Sequence, residues 1–172
     1  GGVPQSGCFN KCCQSNEQKR FVSSITIVNK ETKNCWLIDI TPDFKEQIKL
    51  VKDFLSINEL PNIKGIFITH AHIGHYIGLL YFGLEALNLK NIPVYVFPTM
   101  RDFLYKNSMF NQLIDNQNII IKDIDDISAI QLNDELTIKA FYVPHRNELA
   151  KTVGYLIMSN KKSLIYIPDI DS

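Results

Sequence analysis

The stretch Gly65-Ile66-Phe67-Ile68-Thr69-His70-Ala71-His72-Ile73-Gly74-His75 decides how this chain is read. Its apolar, β-branched opening predicts a short strand over Gly65 to Thr69. Three histidines follow the strand at once, and the whole chain has only four. In a tight loop His70 and His72 can point to one side and converge on a single ion. Imidazole nitrogen is a good ligand for zinc, iron or manganese, and a three-histidine site leaves a position open for water. A metal there lowers the pKa of that water and polarises an ester, amide or phosphoryl oxygen. The competing reading is an exposed polar loop whose histidines share no partner.

On the N-terminal side, Phe21 to Val28 and Cys35 to Ile40 read as strands, the second ending at Asp39. Thr41-Pro42-Asp43 reads as a helix start, with Thr41 as N-cap and Pro42 at the first helical position. Phe44, Ile48, Val51 and Leu55 then recur at three- and four-residue spacing and give one apolar face. After the histidines, Tyr76 to Leu89 is apolar nearly all round and predicts a buried helix. Val94 to Phe97 predicts a strand, and Thr99 with Asp102 a capping box for a helix to about Lys106. Beyond residue 115 the texture changes to short strands: Ile119–Ile121, Ser128–Gln131, Leu136–Val143, Thr152–Met158 and Ser163–Ile167. Strand–helix alternation followed by a run of strands predicts a layered α/β fold of two sheets with covering helices.

Two of the later strands end in chemistry. Leu136–Val143 runs into Pro144-His145, the remaining histidine, and Ser163–Ile167 runs into Pro168-Asp169-Ile170-Asp171. Ligands at the ends of several strands are a common way to assemble a site on a rigid scaffold. Taken singly, His145 reads as a loop residue and the two aspartates as turn formers. Together with the histidine loop, they make a convergent site with His145 and Asp169 as members.

The 172 residues can bury one substantial core, and the reading is one domain over residues 1–172. Lys+Arg and Asp+Glu both number 18, so no broad attraction to nucleic acid or an anionic membrane is implied. The expected partner is a small-molecule substrate, with no nucleic acid and no membrane. The longest apolar run, Ile77 to Leu84, is interrupted by Gly78 and Gly83 and is too short to span a bilayer. No basic-then-apolar leader opens the chain, so a cytoplasmic location is expected. Cys8, Cys12 and Cys13 cluster within six residues, which suggests a structural zinc knuckle or reduced thiols. Cys35, at a strand start, reads as a core thiol.

The motifs carry a resemblance. ITHAHIGHYIGL, the later VPHRNELAKTVGYLI and LIYIPDID resemble the metallo-β-lactamase superfamily. With GGVPQSGC, WLIDITPDFKEQI and VYVFPTMRDFL, the pattern is similar to the narrower group of proteins like pyrroloquinoline quinone biosynthesis protein B. The resemblance implies an αββα sandwich with its metal site between the sheet edges. It also implies a chain cut short at both ends. It would give His70, His72 and His145 to a first metal, and His75 with a bridging Asp169 to a second, with Asp169 and His75 as catalytic groups. Asp39 takes the position of a superfamily aspartate that braces the site loops, and it reads equally well as a turn residue on the approach to the helix.

Gly74 stands where the superfamily motif usually has an aspartate that serves the second metal. With glycine there, at most one tightly held ion is expected, unless Asp171 substitutes. Arg146, beside His145, is a candidate clamp for a carboxylate or phosphate, and for both it and Arg101 the competing reading is a solvated surface arginine. The function implied is metal-dependent hydrolysis of a small-molecule ester or phosphodiester by a metal-bound hydroxide, with zinc as the expected metal and iron or manganese as alternatives. An iron-dependent oxidoreductase of cofactor biosynthesis and a non-catalytic metal-binding protein are the competing functions.

Overall fold

The computed structural model describes residues 21–171. Cys8, Cys12 and Cys13, and with them the expected zinc knuckle, lie outside the described residues. The first sheet contains β1 (Ile25–Val28), β2 (Asn34–Ile38), β3 (Asn62–Phe67), β4 (Ile92–Val96) and β5 (Ile119–Asp123), side by side in that order. β1 and β2 are antiparallel, and β2 through β5 are parallel. The second sheet is an antiparallel meander of β6 (Ala129–Asn133), β7 (Leu136–Tyr142), β8 (Val153–Ser159) and β9 (Ser163–Tyr166).

The residues of β2 explain the layering. Strand side chains alternate between faces, and Cys35-Trp36-Leu37-Ile38 is apolar on both. Leu37 faces a core shared with the helices, while Trp36 and Ile38 face the second sheet. Phe67, Tyr155 and Ile157 complete that inter-sheet core, with the Phe67 ring edge-on to Tyr155 at 5.6 Å between centroids. On the other side, helix α1 (Phe44–Leu55) lays Phe44, Ile48, Val51 and Leu55 against the first sheet, as the spacing predicts. Burial pushes the Cys35 thiol up to about 12, which makes it an inert core residue. Among the described residues, no helix is long and apolar enough to cross a membrane.

Three sequence expectations are corrected. Thr41 is not the N-cap of α1 nor Pro42 its first residue: the helix starts at Phe44 with Asp43 as N-cap, because Thr41 Oγ1 accepts the Asp43 N–H at 3.0 Å and closes a turn ahead of the helix. Tyr76 to Leu89 is not one buried helix: a short helix α2 (Ile73–Tyr76) passes into a 3₁₀ segment, Ile77–Phe82, and Leu84 and Leu87 are exposed. The cause is Gly78, whose N–H donates to the Ile40 carbonyl at 3.0 Å and ties this segment to the loop after β2. Thr99 and Asp102 do not form a capping box. Helix α3 (Pro98–Lys106) starts with Pro98 in its first turn, Thr99 Oγ1 accepts the Lys151 N–H at 3.1 Å, and Asp102 pairs with Arg101. A further helix, α4 (Ser108–Asp115), was not anticipated. Its Phe110 and Leu113 alone give a weak periodic signal. The expected strands are present with ends shifted by a few residues.

The Gly78 contact yields a stability prediction. A Cβ at this position would lie 2.5 Å from the Thr41 carbonyl oxygen and 2.7 Å from Ile40 Cγ1, so backbone must move to admit it. Gly78→Ala should destabilise the chain by about 1–3 kcal/mol, in the range for overpacking a tight site. Gly83→Ala should cost less, because its closest neighbour is the flexible end of Leu113 at 3.0 Å. Urea denaturation of the two variants beside the parent measures both, and equal effects would contradict the packing argument.

Candidate metal centre

β3 delivers the histidine loop. Its last residue, Phe67, has a carbonyl that accepts the Asp39 N–H at 2.8 Å, and the next strand-like residue, Ile68, offers its carbonyl to the Tyr155 hydroxyl at 2.8 Å. The Thr69 carbonyl accepts the Val153 N–H at 3.0 Å, so the loop is tied to the start of β8 as well. His70 and His75 are buried, and His72 is partly exposed at 25%. β7 and β9 bring His145 and Asp169 to the same place. One ligand atom from each of His70, His72, His145 and Asp169 lies within 4.8 Å of every other.

Three of the four imidazoles have one nitrogen hydrogen-bonded outward to oxygen, and the fourth, His72, has one facing a carboxylate. The other nitrogen of each is left for the centre. His70 Nδ1 is 2.9 Å from Thr69 Oγ1, and Thr69 Oγ1 in turn is 2.9 Å from both oxygens of Asp39. His70 Nδ1–H can therefore donate to Thr69, whose hydroxyl donates to Asp39, leaving His70 Nε2 a bare lone pair. His72 Nε2 faces Glu148 Oε2 at 3.5 Å, and its Nδ1 lies 2.9 Å from His70 Nε2. His75 Nδ1–H donates to Asp39 Oδ2 at 2.7 Å, and its Nε2 faces Asp169 Oδ2 at 3.2 Å. His145 Nδ1–H donates to Asp171 Oδ1 at 2.8 Å. The Nε2 atoms of His75 and His145 are buried without a hydrogen-bond partner.

This donor set fits a divalent metal. Histidine ligands regularly give their second nitrogen to a carboxylate, hydroxyl or carbonyl, which fixes the tautomer and aims the other. Two nitrogens bound tetrahedrally at about 2.0–2.1 Å would be about 3.3 Å apart, close to the His70–His72 separation. A buried Nε2 with no partner, as at His145, is costly unless something else occupies its lone pair.

Electrostatics favours neutral ligands. Burial, with the neighbouring imidazoles of His75 and His72, pushes His70 down to about 3. His72 is lowered too, by burial first and then by the Arg146 charge. His75 goes the other way. Burial lowers it, but its bonds to Asp39 and the nearby Asp169 outweigh that and raise it. Asp39 is fully buried and also raised, so this pair binds a proton more tightly than either group does in water.

The structure also sorts the remaining sequence candidates. Asp171, the possible substitute for the aspartate that Gly74 replaces, is turned to His145, whose Nδ1 lies 2.8 Å from its Oδ1. Arg101 is held at the surface by Asp102 and Asp123, at 2.8 and 2.6 Å. Arg146 is 64% exposed and lies 3.9 Å from Glu148. Thr69 and Glu148 were not read from the sequence as site residues. Thr69 adjoins His70 and could have been suspected, whereas nothing in the sequence marks Glu148.

A family model for a β-lactamase superfamily domain matches residues 35–172. The chain belongs to the β-lactamase superfamily. Ribonuclease Z of Archaeoglobus fulgidus is 31% identical over 107 residues, which covers 59% of this chain and 32% of that relative. Zinc-bound PqqB from Methylobacterium extorquens superposes with a TM-score of 0.78 at 22% identity, over 99% of this chain and 62% of that one. A diphosphatase of the PhnP family gives a TM-score of 0.63 at 22% identity, over 91% of this chain and 57% of that one. The two solved structures share the fold. The chain spans less than two thirds of the length of each of these relatives.

A pH dependence follows from the depressed His70. Unfolded, it titrates near its ordinary 6.5, and folded near 3. Between those values the unfolded chain binds the extra proton, so stability is lost as pH falls through this window. His72 adds in the same direction. His75 opposes it, since a raised histidine contributes stability at low pH and loses it as pH rises through the folded value. Melting curves of chelator-treated protein between about pH 7 and pH 4 should show falling Tm, and His70→Asn should make the fall shallower. An unchanged slope in the variant would remove His70 as its source.

Proposed function

We propose that this β-lactamase-superfamily chain is a metal-dependent hydrolase of a small-molecule ester or phosphodiester, working with one tightly held zinc ion. The observation that supports it is the four-donor cluster of His70, His72, His145 and Asp169, with the second nitrogen of each histidine facing an oxygen outside the cluster. In this reading the three histidines hold the metal. When bound, the metal supplies Lewis-acid polarisation and brings the pKa of a water to about 7. Asp169 Oδ2 lies 3.4 Å from His70 Nε2 and 3.2 Å from His75 Nε2. It is placed to orient the attacking water and take its proton. His75, raised by Asp39, is suited to hold that proton at Nε2 and return it to the leaving group. The Asp39 carboxylate stays behind His75 and fixes its tautomer.

Gly74 supports the single-ion reading. It provides no ligand atom, and among the described residues Asp171 is turned to His145 instead. The ribonuclease Z likeness makes RNA a class to include among the substrates tested, although the neutral net charge favours a small molecule. The superfamily match is equally compatible with an iron-dependent oxidoreductase. The identity of the bound metal and oxygen consumption in the presence of a reductant separate that reading from hydrolysis.

Two measurements test the proposal. Metal analysis should find one tightly bound ion in the histidine region of protein whose Cys8, Cys12 and Cys13 are replaced, and His72→Ala should lower its affinity by orders of magnitude. Gly74 lies inside the helical turn Ile73–Tyr76, where the backbone accepts an L side chain, so Gly74→Asp should raise occupancy of a second ion. Two tight ions in the parent would instead favour two-metal hydrolysis. The zinc-loaded chain is then assayed on aryl esters, bis(p-nitrophenyl) phosphate and a short RNA. Retained metal with no turnover on any of them would favour a non-catalytic metal-binding protein.

A further inference from the structure

β7 and β9 are not neighbours. β8 lies between them in the second sheet, so the loops carrying His145 and Asp169 must cross the end of β8 to meet. Two bonds from a single residue make the junction. The Asp171 N–H donates to the Pro144 carbonyl at 2.8 Å, and Asp171 Oδ1 accepts from His145 Nδ1 at 2.8 Å. The backbone bond sets the height of one loop against the other, and the side-chain bond sets the rotation and tautomer of the ring. With the proton held on Nδ1, the buried and unpartnered Nε2 carries the lone pair.

We infer that Asp171 is a positioning residue for the metal centre: it clasps the two loops and presents His145 Nε2 to the ion. This rests on the reading of His145 as a ligand. Its chemistry differs from the supports of the other histidines. Thr69 and Asp39 are buried, and Glu148 stands 3.5 Å from His72, beyond a firm hydrogen bond. Asp171 is 54% exposed, so it can be changed without opening the core.

The test compares Asp171→Ala, Asp171→Asn and His145→Ala in the full chain. Zinc affinity is read by competition with a chromophoric chelator, and the His145 tautomer by nitrogen-15 NMR of the metal-free protein. Asparagine keeps an oxygen acceptor for Nδ1–H and alanine removes it. Asp171→Ala should weaken zinc binding about 10–100-fold and shift His145 from the Nδ1–H form to a mixture of tautomers. Asp171→Asn should restore most of the affinity and the single tautomer. A loss of affinity with an unchanged His145 tautomer would overturn the inference, since a merely structural role would act in that way. Parent affinity in Asp171→Ala while His145→Ala binds weakly would also overturn it, leaving the metal site intact. Parent affinity in both variants would overturn it by removing His145 from the metal centre.

Discussion

Asp39 is the constraint on which the centre depends. It is fully buried, at the end of β2, with a left-handed backbone at φ 62° that a non-glycine residue adopts only when its surroundings hold it there. Its two carboxylate oxygens receive the Thr69 N–H, the Thr69 hydroxyl and His75 Nδ1–H. An unpaired charge in this position would be strongly unfavourable, and three donors make it tolerable. The same residue thus fixes the start of the histidine loop through Thr69 and its end through His75. The Ile40 N–H, bonded to the His75 carbonyl at 3.0 Å, repeats the tie through backbone. The five residues between have little freedom left, which is how His70 and His72 come to share a side.

Much of the fold could be read from the chain because its elements have strong local signatures. The 36–38 run is apolar on both faces, and Phe44, Ile48, Val51 and Leu55 recur at helical spacing, so local pattern and tertiary burial agree. The stretch 76–89 misled for a physical reason. Its apolar content reports burial, but its shape is set by Gly78 meeting the Ile40 backbone, a contact 38 positions away in sequence. Thr99 misled similarly: it looks like a cap until the distant Lys151 N–H takes its oxygen.

Within the centre, sequence reading could bring together residues that end strands, because strand ends collect at a sheet edge. It named His70, His72, His75, His145 and Asp169. The structure gathers His70, His72, His145 and Asp169 in one four-donor group and sets His75 beside it, against Asp169. What it could not supply is which nitrogen each ring presents. That depends on outward partners such as Thr69, Glu148 and Asp171, whose reach is decided by loop geometry rather than by residue type. Asp171, two residues beyond Asp169, reads in the sequence as a possible substitute ligand, and in the structure its Oδ1 lies on His145 Nδ1.

The division of the donors between two kinds of sheet bears on the order in which the chain assembles. His145 and Asp169 belong to an antiparallel meander whose pairings are between sequence neighbours, and such hairpins close with little loss of chain entropy. His70 and His72 follow β3, which must first find β2 and β4 through crossover segments in a parallel sheet. The two halves meet only when Phe67 and Trp36 dock on Tyr155 and Ile157. Each half alone therefore holds only two of the four donors, and the four-donor pocket exists only where the two sheets are docked. An ion held by all four donors would bridge the two sheets, so its binding and the closure of the inter-sheet core would reinforce each other.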